Sequence, residues 1–195
     1  MDQKQVNRLI KFLKASGITF DEGLTEEEIR EVENKFEIRF PDDLRLFIKT
    51  KLPVSEGFVN WRSGIRNENE KKTIFNRIEG PLEGMLFDID NNEFWLESWG
   101  LKPDRYEVRK KIATEEFQKY PKLIPIYSHR YISSEPHDAG NPVFSVYQMD
   151  IIHYGMDLAD YFSNEFKFDL PKSFGVVTIP TRIEFWSDMI DLNNQ

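Results

Sequence analysis

The chain has 195 residues, 31% of them charged, with 34 acidic against 26 basic side chains for a net charge of −8, and no cysteine. A disulfide framework, a thiol nucleophile, a Cys-ligated zinc and an iron–sulfur cluster are excluded outright. The negative balance argues against direct nucleic-acid binding, which needs Lys and Arg to displace counterions from phosphates.

Sixteen Phe, seven Tyr and four Trp supply apolar surface for one sizeable core. Near the N-terminus, Val6, Leu9, Ile10 and Leu13 recur at helical spacing before the stop Ser16-Gly17. This stretch has no uninterrupted apolar core and no small-residue cleavage site, so it does not read as a signal peptide. No window has the apolar length to span a bilayer, and the expected compartment is the cytoplasm.

Thr25 with Glu28 forms a capping box, and Glu26 and Glu27 suit the positive end of the helix that follows. Ile29, Val32 and Phe36 form its buried stripe. Pro41 fits the first position of a third helix, with Asp42 and Asp43 in its first turn and Leu44, Phe47 and Ile48 on its apolar face. The segment 63–77 is polar and reads as a long loop or a weak helix.

Farther on, GMLFDID (84–90) alternates, with Met85, Phe87 and Ile89 on one face and Asp88 and Asp90 on the other. With FWLESW (94–99) beyond Asn91 and Asn92 it predicts a β-hairpin. A helix is predicted over 104–119, ended by Pro121. LIPIY and NPVFSVY read as core strands, SSEPHDAGNP (133–142) as the loop between them, and DIIHYG as a further strand. Helices are predicted again over 158–168 and 183–192. The order gives an α+β single domain: N-terminal helices, then an antiparallel sheet with helices packed on one face.

Ser128, His129, His137 and Asp138 place catalytic residue types close in sequence, but no G-x-S-x-G elbow is present and sequence neighbours are seldom triad partners. His129, His137 and His153 lack the helical spacing that sets two metal ligands on one face, although His129 and His153 would converge if their strands paired. Asp88, Asp90, Asn92 and Glu93 start like a calcium loop, yet Glu93 stands at the glycine position and Trp99 at that of the bidentate glutamate. Asp88 and Asp90 as a glycosidic pair have nothing to raise a pKa. Trp61, Trp95 and Trp99 suit either a core or a partner surface. No catalytic residue, metal or cofactor is assigned.

Several blocks, taken in order, resemble the SUKH superfamily, which includes the fungal Smi/Knr cell-wall assembly regulators and many bacterial proteins. They are LTEEEIREVENKFEIRFPDDLRLFI, GFVNWR, GMLFDIDNNEFWLESWG, PKLIPIYSHRYISSEPHDAGNPVFSV and DIIHYGMDLADYF, together most of residues 24–165. The resemblance implies an α+β binding domain without catalytic residues. For a bacterial member it implies an immunity protein that neutralises a cognate toxin, often a nuclease. A regulatory or scaffold domain of the Smi/Knr type is the alternative, and a metal-dependent hydrolase using the three histidines is a third. The expected partner is a basic toxin domain, with no membrane and with the oligomeric state open. The contact residues expected for it are Asp88, Asp90 and Glu93 on the hairpin, and Glu135, His137 and Asp138 in the loop.

Overall fold

The computed structural model describes residues 1–194. Helix α1 (Gln3–Ala15) opens on a reciprocal cap. Asp2 Oδ1 accepts from Gln5 N at 2.8 Å, and Gln5 Oε1 accepts from Asp2 N at 2.9 Å. Val6, Leu9, Ile10 and Leu13 are all buried, as their spacing predicts. The far side of α1 meets the C-terminal part of the chain: Phe12 stacks on Phe168 at 5.3 Å, and Gln5 Nε2 donates to Ser173 O at 2.9 Å.

Helix α2 (Glu26–Phe36) carries the predicted capping box, with Glu28 N donating to Thr25 Oγ1 and Thr25 N to Glu28 Oε2. In α3 (Asp42–Thr50), Pro41 is the N-cap, one position earlier than predicted. Strands β1 (Phe20–Glu22) and β2 (Lys51–Pro53) pair antiparallel around these helices. Three residues each is too short for an alternation to be visible in sequence. Gly23 lies so close to α3 that a Cβ there would stand 1.8 Å from Lys49 O.

Residues 61–91 depart most from expectation. The stretch 63–77, read as a loop or a weak helix, is helical, and the expected hairpin strand 84–90 is helical too: they form α4 (Trp61–Arg66) and α5 (Glu68–Asn91), the latter roughly 36 Å long. Its buried positions Ile74, Ile78, Pro81, Met85 and Ile89 follow a helical period. Met85 and Ile89 are buried while Phe87 is 48% exposed, which a shared strand face does not allow. Pro81 has no N–H for the Arg77 carbonyl one turn back, and that carbonyl accepts the Tyr131 hydroxyl at 3.0 Å instead. The predicted second strand, 94–99, is an extended link ending in a 3-10 turn at Glu97–Trp99. There Trp99 stands edge-on to Phe94 and Trp95, and its Nε1 donates to Tyr120 OH at 2.8 Å.

Helix α6 (Tyr106–Phe117) leads into the main sheet, β3 (Leu123–Tyr127), β4 (Arg130–Ser133), β5 (Val143–Tyr147) and β6 (Asp150–Gly155), an antiparallel meander in sequence order. β4 fills part of what reads in sequence as connection. Helices α7 (Leu158–Phe166) and α8 (Trp186–Asn193) complete the fold.

Helices pack on the sheet as the element order predicts, and the structure adds a second layer on the opposite face. Ile124, Ile126, Ile132 and Val143 face α1 to α4 and α7. Leu123, Tyr131, Phe144, Val146 and Ile151 face the end of α5, α6 and α8. α5 joins the two cores, contributing Ile74 and Ile78 to one and Met85 and Ile89 to the other.

Candidate partner-binding surface

The residues expected to form a contact surface are separated. Asp88 is buried: its Oδ2 accepts from Met149 N at 2.8 Å and its Oδ1 from Asn92 Nδ2 at 2.6 Å. It pins the β5–β6 turn to α5 and is not on the surface, which corrects the placing of Asp88 and Asp90 on one exposed strand face. Asp90 is exposed, on the outer side of α5. Glu93 follows the helix in a left-handed conformation and is paired with Lys102, which holds its carboxyl below the ordinary range.

Glu135, His137 and Asp138 lie at the other end of β5, roughly 17 Å away along the strand. Their loop is built into the fold. Ser134 N donates to Lys122 O, Asp42 N to His137 O, and Gly140 N to the buried Asp43 carboxylate at 3.0 Å. Buried Asn141 donates from Nδ2 to Ser133 O and Pro136 O. His137 Nδ1 lies 2.7 Å from Ser134 O, so that nitrogen carries the hydrogen. Glu135 and His137 line a groove of about 600 Å³ with Glu33, Glu37, Arg39 and Lys122. Its charge is mixed, and Lys122 Nζ already donates to Glu37 O at 3.0 Å.

The histidines stand in three different settings. Ser128 and His129 form the β3–β4 turn, with Ser128 Oγ 3.2 Å from His129 Nδ1. A general base would need a carboxylate on the far ring nitrogen, but the Arg130 guanidinium is there. Burial, then Arg130, pushes the His129 pKa down. Arg130 itself donates to Glu165 at 2.9 Å and Ser145 at 2.7 Å and lies 3.7 Å over the Tyr154 ring. His153 sits on β6 beside Phe144, its pKa lowered by burial. Among the described residues no three His, Asp or Glu side chains converge as a metal site. Trp61 and Trp99 are core residues, and Trp95 is half-buried.

The helical form of 84–90 creates one surface that a strand does not. Glu79, Glu83, Phe87 and Asp90 follow at helical spacings along the outer side of α5, all exposed. None of the three carboxylates belongs to an ion pair among the described residues. Some carboxylates elsewhere are neutralised by close basic partners. Glu28 holds both Arg62 (2.8 Å) and Arg66 (2.7 Å), which drop its pKa to about 2, and Glu26 takes Arg45 and Lys49. The α5 face is therefore a solvated acidic strip around one apolar ring. Its signal in the sequence is the spacing of these four residues along one helix over 68–91.

No described helix is long and apolar enough to cross a membrane. No family model matches the chain, and neither does any curated protein or solved structure.

Proposed function

We propose that this chain is a non-enzymatic immunity protein of the SUKH type, acting in the cytoplasm, that binds a cognate toxin domain and blocks it by occupation. The observation that supports this is the unpaired acidic face of α5, Glu79, Glu83 and Asp90 around exposed Phe87. A nuclease toxin must present Lys and Arg to hold phosphates, and an acidic helix can cover that surface and speed encounter by electrostatic steering. The resemblance of the ordered sequence blocks supplies the class of function, and the net charge of −8 favours the same kind of partner.

The test is co-expression of the full chain with the toxin encoded beside it. Growth is expected to be restored, and to be lost again with Glu79→Lys, Glu83→Lys and Asp90→Lys combined. Cells that die as readily with the wild-type chain as without it overturn the reading for that pair. A regulatory or scaffold interaction domain is the alternative, favoured by the mixed-charge groove beside Glu135 and His137, which suits a peptide segment carrying both signs of charge. Co-purification of the chain with housekeeping proteins, in a genome without a neighbouring toxin gene, would support it.

A further inference from the structure

Four of the nine exposed large apolar side chains among the described residues belong to segments tied to one turn, between β5 and β6, with Tyr147 and Ile152 on the sheet face opposite α5 and α8. Tyr147 is 69% exposed and Ile152 49%. The register pairs Tyr147 with Asp150 and Ser145 with Ile152, so both side chains are on the same face of the sheet. Phe87 precedes Asp88, which accepts from Met149 N, and Leu192 precedes Asn193, whose Nδ2 donates to Met149 O at 2.9 Å. The backbone of Met149 thus ties the ends of α5 and α8 to the turn, with a cleft of about 490 Å³ between them. Gly84 strengthens the tie, because its own backbone packs against Gln148.

The segments that carry these apolar residues are anchored by hydrogen bonds to Met149, yet the side chains face solvent, and exposed apolar surface with a polar rim is characteristic of binding sites. The rim is acidic. Glu83, Asp90 and Asp150 are exposed and unpaired among the described residues, and the nearby Asp191 already shares Arg182 with Asp188. A second copy of the chain would bring like charges together, which disfavours self-association.

We infer that this end of the molecule is the docking surface for a basic protein partner. The partner's apolar centre covers the aromatic and aliphatic side chains around the turn, and its Lys and Arg residues meet the carboxylate rim. The inference rests on the proposal that the chain binds a basic protein and specifies where. A standard interface of roughly 800 Å² per partner is wide enough to cover both sides of such a turn.

The probe is a synthetic amphipathic helix of Leu and Lys, with a Leu and Glu helix as control, offered to the full chain. Only the basic peptide should bind, slowing amide hydrogen exchange at residues 83–92 and 147–152. Phe87→Ser with Tyr147→Ser should weaken it tenfold or more, at an unchanged circular dichroism spectrum. Asp90→Lys with Asp150→Lys should flatten the salt dependence. Protection elsewhere, no binding at millimolar peptide, or unchanged affinity in these variants overturns the inference. So does a wild-type dimer by sedimentation that Phe87→Ser with Tyr147→Ser dissociates. Docking here with failed protection against the toxin would remove the immunity reading and leave the surface. Protection retained by the Phe87→Ser, Tyr147→Ser variant would do the reverse.

Discussion

The Tyr131 hydroxyl donates to the Arg77 carbonyl, the one acceptor in α5 that Pro81 leaves without a helical partner. A sheet residue completes the hydrogen bonding of a helix 54 positions away in sequence. Tyr131→Phe is expected to cost about 1–2 kcal/mol, because the phenol is buried and the carbonyl loses its donor. In a Pro81→Ala background, where the helical N–H returns, the same change should cost less. Equal costs in both backgrounds, measured by urea denaturation, would sink the coupling.

Glu28 joins the start of α2 to α4, accepting from Arg62 and Arg66 while Arg62 also donates to Glu22 O and Gly23 O. Its folded pKa of about 2 lies below the ordinary 4.5, mainly through the Arg62 hydrogen bond. The stabilisation is therefore complete above pH 4.5 and is lost as pH falls toward 2. Glu28→Gln should lose about 1–2 kcal/mol at pH 7. The gap to the wild type should narrow in denaturation curves taken at successively lower pH. A gap independent of pH would show that Glu28 acts only as a cap.

Asp43 is buried at the start of α3 and holds the 137–140 loop through Gly140 N. Asp43→Ala leaves that amide bare and should cost about 1–3 kcal/mol, with faster hydrogen exchange at residues 137–140. Burial pushes the Asp43 carboxyl up, so the fold favours its neutral form. Its ionisation weighs against folding above the folded pKa, and that weight disappears as pH falls below the unfolded value. Asp43→Asn should accordingly compare best with the wild type near neutrality and less well in acid. The opposite trend in melting temperature would contradict this.

A Cβ at Gly155 would stand 2.4 Å from Tyr161 Cα, backbone against backbone where β6 turns into α7. Gly155→Ala is expected to cost about 1–3 kcal/mol, since neither element can move without disturbing a core layer. Gly175, with a positive φ and open space around it, should tolerate alanine better in the same thermal melts than a position of direct clash.

Helices whose signals are local were legible in the sequence. The Thr25–Glu28 box and the Val6 to Leu13 stripe depend on residues within a turn or two, and both are found as read. Residues 84–90 failed because Met85, Phe87 and Ile89 fit a two-residue period over a window too short to exclude a helical one. What decides between them is distant: Tyr131 tolerates Pro81, and Met149 needs Asp88. β4 was hidden in the same way, since only pairing with β3 and β5 makes a strand of RYIS. Asp90 is exposed as expected, whereas the strip along Glu79 and Glu83 depends on the helix. Asp88 was misplaced because the sequence does not show that a carboxylate is buried under a turn 61 residues later.

The packing of α1 against residues 166–173 has a consequence for synthesis. Gln5 cannot reach Ser173, nor Phe12 reach Phe168, until residues 168 and 173 have left the ribosome. At roughly 5–20 residues per second, the first helix waits on the order of ten seconds or more with Gln5 and Phe12 lacking those partners. A nascent-chain series arrested before and after residue 173 should show α1 becoming protease-resistant only in the longer members.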